Sequence, residues 1–530
     1  MVALKGRSWC EPGRPLEGRL YWSNCISQGI NNSNDELLLG VDLGTSSSKG
    51  VLAKPDGNVM AVAERPHGLS LPRPGWAEHD AEGVWWCDFT SICSELLEQA
   101  KGPVVAVCVS GIGPCFLAAG ARGRPLRPGI LYGIDTRATR EVEELTKKYG
   151  NEKVVDLCGN PLTTQSVGPK IAWLRRNEPE TWKETRYFLM AHTFVTYRLT
   201  GEYVLDHPSA GMCEPLYNVW NNSWIEDWSD EIAPGLQMPN LRWPSEVVGE
   251  VTKEAAEMTG LPAGIPVACG TTDAWSEATS IGVREPGDRM LMYGTTMSVL
   301  EVVREALVTP NLWTTAGVFA GTNVLAGAMS TSGALTAWVK DLSGDLSYEY
   351  LTKEAAEVAP GSAGLIALPY FAGERAPISD PKARGVICGL TLSHGREHLY
   401  RAMLESTAFG VRHLFEAIRE AGGEGKRLVA VGGGTKGGLW TQIVSDVIGE
   451  YQELPEQTIG ASYGDALLAG ISCGLIEADA AWSSMADIVR PNLSNHEIYD
   501  ELYTLYKDLY PVTRSITHAL ADLQARSGLP

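Results

Sequence analysis

The chain has 530 residues, including 57 glycines and 30 prolines, which is material for roughly two to four domains and too little Gly and Pro for a low-complexity chain. Its net charge of −20 argues against a phosphate backbone or an anionic lipid surface as a partner. Eleven cysteines, odd in number and without CxxC pairs, argue against a disulfide scaffold and a conventional zinc site, and point to a reducing cytoplasm.

No uncharged apolar run reaches the length of about 18 residues that a bilayer crossing needs. The first residues carry basic side chains with no apolar core behind them, so a secretory signal is not expected. Residues 1–36 lack apolar periodicity and end in Asn31-Asn32-Ser33-Asn34-Asp35, which reads as a disordered extension. Leu37 to Val41 is then a buried strand, Ser48 to Ala53 a second and Val59 to Glu64 a third, with a turn at Pro55-Asp56-Gly57-Asn58. Asp80 caps a helix running to about Gln99, Pro103 to Val109 is a strand, and Arg140 to Tyr149 a helix. Alternating strands and helices predict an α/β fold.

Arg289 to Thr296 repeats the opening: strand, then Gly294-Thr295-Thr296 where the first copy has Gly44-Thr45-Ser46. The echo suggests two related halves across a cleft, parting near Ile281 to Gly287. A helical segment from about His496 to Ala525 ends the chain. The expected division is 37–284, 285–482 and a C-terminal helical segment at 483–530.

Several of these turns could carry chemistry. After the first strand, Asp42-Leu43-Gly44-Thr45-Ser46-Ser47-Ser48-Lys49 offers exposed N–H groups and hydroxyls for phosphate, a lysine for charge, and Asp42 as a hard ligand for Mg2+. An ordinary β-turn explains it equally well. The spacing is not that of a Walker loop. The second copy has Met292 in place of Asp42, so it would offer hydrogen bonds alone.

Gly432, Gly434 and Gly437 satisfy G-x-G-x-x-G between a strand and a helix, with Glu450 downstream. Such a turn suits NAD or ATP alike. Asp273 opens a helix after the strand Pro266 to Ala268, and is either an N-cap or a general base at a cleft mouth. Gly460-Ala461-Ser462-Tyr463-Gly464 has the form of a nucleophile elbow, but His496 and His518 fall in surface helices. Cys115 reads as a small buried hydrophobe.

Together these elements resemble the FGGY carbohydrate kinases from about Leu37 to Ala480. Asp42 to Ser46 is similar to the family's first phosphate motif and Pro74-Gly75-Trp76-Ala77-Glu78 to its Pro-Gly-Trp-x-Glu segment. Lys170-Ile171-Ala172-Trp173-Leu174 resembles one family signature, with Val167 where Pro, Ser or Thr is usual. Gly385 to Leu390, with His398-Leu399 and Ala402 to Glu405, resembles the second; Phe371 to Pro377 is similar to a Gly-Glu-Arg-x-Pro loop.

The resemblance implies an actin-like ATPase fold: two RNase H-like domains around a central cleft that closes on MgATP and a small sugar or polyol. It implies Asp273 as general base and Asp42 at the metal. Thr45, Ser46 and Lys49 would lie on one side of the phosphates and Gly294 and Thr295 on the other, with Gly333 and Gly434 near adenosine. Gly113, Pro114 and Asp135, the last within an Asp-x-Arg match ending at Arg137, would face the sugar. Ile112-Gly113-Pro114-Cys115 departs from the family's Gln-Met-His-Gly, and Ala274 replaces the Asn that usually follows the catalytic Asp. Both departures remove hydrogen bonds that can decide specificity. A homodimer is compatible with this picture. Three rivals remain: an NAD-dependent oxidoreductase, a non-catalytic sugar-binding regulator on the same fold, and an actin-like ATPase without a sugar.

Overall fold

The computed structural model describes residues 35–457, 459–480 and 482–527. The extension expected over 1–36 therefore lies, up to residue 34, outside the described residues. The first half contributes β1 (Leu37–Leu43), β2 (Ser47–Ala53), β3 (Val59–Pro66), α1 (Cys87–Gln99), β4 (Val104–Gly111), β5 (Val247–Glu250), β6 (Pro266–Ala268) and α2 (Asp273–Ser280). The second contributes β7 (Asp288–Tyr293), β8 (Met297–Val303), β9 (Trp313–Ala316), β10 (Asn323–Met329), α3 (Gly333–Leu342), α4 (Arg396–Glu420), β11 (Arg427–Val431), α5 (Leu439–Ile448), β12 (Gln452–Pro455), α6 (Ala461–Ser472), β13 (Met485–Val489) and α7 (His496–Ser527).

Two sheets carry the same topology. The first runs β5-β6-β4-β1-β2-β3 and the second β9-β10-β8-β7-β11-β12-β13. In each, the leading strand pairs antiparallel with its hairpin partner and parallel with the strand on its other side: β1 with β2 and β4, β7 with β8 and β11. The repeat at Gly44 and Gly294 is thus a repeat of whole sheets. Antiparallel hairpins at the centre also distinguish this fold from the parallel sheet of a dinucleotide-binding domain. Glu450, the acid that an NAD site would direct at ribose, is ion-paired with Arg289. The oxidoreductase alternative loses both supports.

The central strands are mostly apolar because both faces are covered, with charge near their ends at Asp42, Asp288 and Arg289. Leu37, Leu39, Val41 and Leu43 point into the core of the first half, and Leu291 and Tyr293 into that of the second. The alternate positions Leu38, Ala106, Cys108, Met290, Val429 and Val431 share a third core between the sheets, filled by α2 and α6. The helix α6 comes from late in the chain yet packs against β1, β4 and α2. Glycine permits that approach: a Cβ on Gly40 would stand 2.0 Å from the Ser462 carbonyl oxygen, and one on Gly464 1.9 Å from that of Ser276. Ser462 itself is buried, which removes it as an elbow nucleophile.

Local differences from expectation are small and explicable. Asp80 does cap a helix, accepting from Glu82 N, but the first turn, Ala81–Trp86, is π-helical. The wide turn carries Trp85 and Trp86 inward in succession. The segment after 483 is not purely helical, since β13 pairs with β12 and Tyr499, Leu502, Tyr503 and Tyr506 of α7 join the second core. No helix among the described residues is long and apolar enough to cross a membrane. The nine cysteines among those residues are all free.

Candidate active site

A cleft of about 440 Å³ separates the two sheets. The register of β1 against β2 sets Asp42 directly opposite Lys49, and both line the cleft. In the second hairpin Met292 stands opposite Ser298, and these too line it. The β1–β2 turn is held from behind: Asp88 accepts from Ser48 Oγ at 2.8 Å and pairs with His67 Nδ1 at 2.9 Å. The other nitrogen of His67 reaches the Gly44 carbonyl at 3.2 Å. Thr45 and Ser46 form the turn itself, with Ser46 exposed.

Asp273 is the first residue of α2 and accepts a 2.7 Å bond from its neighbour's amide, Ala274 N. It is not the N-cap, which is Thr272. Burial pushes its carboxyl up to about 6 against the lowering effect of that bond and of His192. Glu277, one turn further along the same helix face, also lines the cleft and is pushed up to about 7 by burial and by Asp273. Asp42 is pushed up to about 8, first by burial and then by Asp273, while its Ser110 hydrogen bond and Lys49 act the other way.

Asp42, Asp273 and Glu277 line one cleft, with Lys49 the cross-strand neighbour of Asp42, and carboxylates are the hard oxygen ligands that a divalent cation takes. Among the described residues no three His, Cys, Asp or Glu side chains could enclose an ion by themselves. That suits Mg2+, which keeps water and substrate phosphates in most of its coordination sphere. Asp42, beside the Gly44 to Ser46 turn, is the residue that would hold it.

Of the expected residues, the cleft brings together Asp42, Lys49, Gly113, Pro114 and Asp273. Gly294, Thr295 and Gly333 form a second group, where Gly333 N donates to Gly294 O and Ala334 N to Thr295 O. A Cβ on Gly333 would come within 2.6 Å of that Gly294 oxygen, so α3 begins against the turn only because its first residue is glycine. Gly434 packs beside Tyr293, just ahead of the same turn.

Asp135 is the exception. Its carboxylate is buried and taken up by Arg137, at 2.9 and 2.6 Å, and by Ala77 N at 2.8 Å. Arg137 in turn lies 3.9 Å from the Trp76 ring centre and 5.1 Å from that of Trp173, and pairs with Glu78. Three sequence motifs thus converge on a buried scaffold behind the cleft, and Asp135 belongs to that scaffold instead of the sugar wall. Glu405 of the second signature is likewise structural, accepting from Gly361 N, Ser362 Oγ, Arg401 and Tyr499.

The cleft also contains residues that the sequence did not single out. Tyr132 and Arg375 face it, the guanidinium anchored to Met329 O at 2.9 Å. Asn160 lines its far end and bonds the backbone of β9 twice, accepting from Thr314 N at 2.8 Å and donating to Thr314 O at 3.0 Å. Glu277 was legible as the i+4 partner of Asp273. Arg375 had no signal beyond its motif. Cys115 is buried, pushed up to about 12 by burial, and accepts from Ala191 N, so it acts as a packed hydrophobe.

Comparison with known proteins agrees with this geometry. The N-terminal domain of the FGGY family of carbohydrate kinases matches residues 37–280, and the C-terminal domain of that family matches residues 290–473. A xylulose kinase of Staphylococcus epidermidis is 28% identical, over 92% of this chain and 98% of its own. A glycerol kinase of Nocardia farcinica is 30% identical, over 86% of this chain and 95% of its own. The crystal structure of xylulose kinase from Rhodospirillum rubrum superimposes with a TM-score of 0.85 at 31% identity, covering 91% of this chain and all of that one. The chain belongs to the FGGY family of carbohydrate kinases, with the actin-like fold and the ATP- and Mg2+-dependent transfer of phosphate to a sugar or polyol that mark the family.

Proposed function

We propose that the acceptor is a small ketopentose-like sugar or polyol, phosphorylated on a primary hydroxyl that Asp273 deprotonates. The setting of Asp273 carries this reading: a half-buried carboxylate at a helix start, poised near 6, with a cleft in front of it. A base with such a pKa is ionised at neutral pH and still accepts a proton readily. Once deprotonated, the acceptor oxygen attacks the γ-phosphorus of ATP in line, the bond from that phosphorus to the β–γ bridging oxygen breaks to release ADP, and the proton stays on Asp273.

The remaining assignments follow the cleft wall. Lys49 and the Thr45 and Ser46 hydroxyls would meet the phosphates from the first hairpin, and Gly294 and Thr295 from the second. Gly333 and Gly434 would leave room for the adenosine. When bound, Mg2+ at Asp42 would neutralise charge on the transferring group. Gly113 and Pro114 would face the acceptor, with Tyr132 and Arg375 among the polar groups of the cleft. The absence of the family's His and Asn from this wall supports an acceptor other than D-xylulose. A cytoplasmic setting fits the free cysteines, and a homodimer remains compatible, to be read by light scattering.

The test is coupled ADP release across ketopentoses, aldonates and four- to six-carbon polyols. One strong substrate is expected. Asp273→Ala should lower kcat by about a thousandfold or more while ATP binding holds, and kcat/KM should fall as pH drops through about 6. Near-normal turnover in that variant refutes the base assignment.

A further inference from the structure

The helix α6 brings one carboxylate into the core shared by the sheets. Asp465 is fully buried, and no lysine or arginine accompanies it among its bonding partners. Its Oδ2 accepts from Ser110 Oγ at 2.6 Å and from Ser110 N at 3.2 Å, and its Oδ1 accepts from Ser276 Oγ at 2.6 Å. Burying a carboxyl without a cation costs several kcal/mol unless hydrogen bonds offset it, so three donors converging on one side chain indicate a built arrangement.

What the three donors belong to is informative. Ser110 is the register partner of Asp42 across β1 and β4, and its hydroxyl oxygen lies 3.2 Å from Asp42 Oδ1. Ser276 sits on α2, three residues after Asp273, and its hydroxyl also approaches Ala461 O at 3.0 Å, at the start of α6. Ala461 and Gly460 line the cleft. One carboxylate therefore joins the strand beside Asp42, the helix that opens with Asp273, and the helix whose first turn borders the cleft from the other half of the chain.

We propose that Asp465 is a positioning residue for phosphoryl transfer, fixing through Ser110 and Ser276 the separation of Asp42 from Asp273. It touches neither substrate nor reacting atoms. Burial and the nearby Asp42 charge hold its carboxyl far above the ordinary range, in keeping with a group used for geometry. The proposal rests on the assignment of Asp273 as base, and misplacement of about 1 Å between such groups can cost roughly a hundredfold in rate.

The experiment compares Asp465→Ala, Asp465→Asn and Ser276→Ala in the full-length enzyme, by steady-state kinetics on folded protein and by thermal melting. Asp465→Ala should lower kcat by roughly thirtyfold to a hundredfold and leave KM for ATP and acceptor within about threefold. Asp465→Asn should restore most of the turnover: its carbonyl oxygen keeps both Ser110 bonds, and its NH2 donates to Ser276 Oγ, which is freed to donate to Ala461 O. Ser276→Ala removes one arm with little change in volume, and should lower kcat about fivefold with a melting point near wild type.

Unchanged kcat in Asp465→Ala, or a fall in melting point alone, overturns the proposal. So does an equal loss in Asp465→Ala and Asp465→Asn, because the amide keeps the contacts. If Asp465→Ala does not fold, unchanged kcat in Ser276→Ala is the overturning result. Asp273→Asn, run alongside, separates the two levels: turnover persisting in that variant refutes the base assignment whatever Asp465 shows.

Discussion

The two hairpins that face each other across the cleft hold the same place in their sheets and differ in chemistry. In the first, the cross-strand pair at the cleft is Asp42 and Lys49; in the second it is Met292 and Ser298. The turns close differently: Gly44 N donates to Ser47 O, three residues on, and Gly294 N to Thr296 O, two residues on, both at 3.1 Å. The strand order has been kept, the second turn is one residue shorter, with Leu43 paired to Ser48 but Tyr293 to Met297, and the charged pair exists on one side alone. In the proposed function a repeated sheet would thus supply two phosphate cradles, with the Asp42–Lys49 pair making the first the side for charge and metal.

The largest test of that asymmetry is a paired substitution. Asp42→Ala should lower kcat about a hundredfold or more, whereas Met292→Ala should change it by less than about threefold. Initial rates at saturating MgATP decide it, and equal losses would break the comparison. On the second side the backbone is what counts. Gly333→Val places side-chain atoms against the Gly294 carbonyl, so KM for ATP should rise about tenfold while KM for the acceptor holds.

A pH measurement sharpens the contrast further. Asp42, raised to about 8, carries a proton in the metal-free protein below that pH, and a cation must displace it. Apparent Mg2+ affinity should therefore tighten as pH rises from 6 to 8 and then level off. The sign for stability is opposite. A carboxyl raised in the folded state contributes stability that is full below its unfolded value near 4 and is lost as pH rises through 8. The metal-free melting point should accordingly fall over pH 6 to 8, and added Mg2+ should restore part of it. The smallest effect is at the far end of the cleft: Asn160→Ala leaves the Thr314 N–H and carbonyl unpaired, costing about 2 kcal/mol in urea unfolding with little change in kcat.

The strands around Asp42, Gly294 and Asp273 were legible because buried central strands read as apolar runs and their turns as Gly-Thr punctuation. Motif spacing was less informative about direction. Asp135, Trp76, Glu78 and Trp173 occupy recognisable motifs, yet they face one another, because Asp135 sits two residues from the arginine that neutralises it. The shared core escaped notice for a different reason. Its lining at Gly40, Ala106 and Cys108 is small, and a small residue on a strand does not announce what approaches it. Asp465 was equally silent, since a carboxylate in an apolar helix ordinarily marks a solvent face.

The shared core also bears on how the chain is made. The inner face of the first sheet, with Leu38, Ala106 and Cys108, is covered by α6, which is synthesised only near the end of the chain. A ribosome releasing this protein cannot complete its first half before it has nearly finished the second, so the ordinary N-to-C, one-domain-at-a-time order of folding is closed to it. Nascent chains ending before residue 461 should expose that face and depend on holding chaperones, and the first lasting native state should coincide with the emergence of α6.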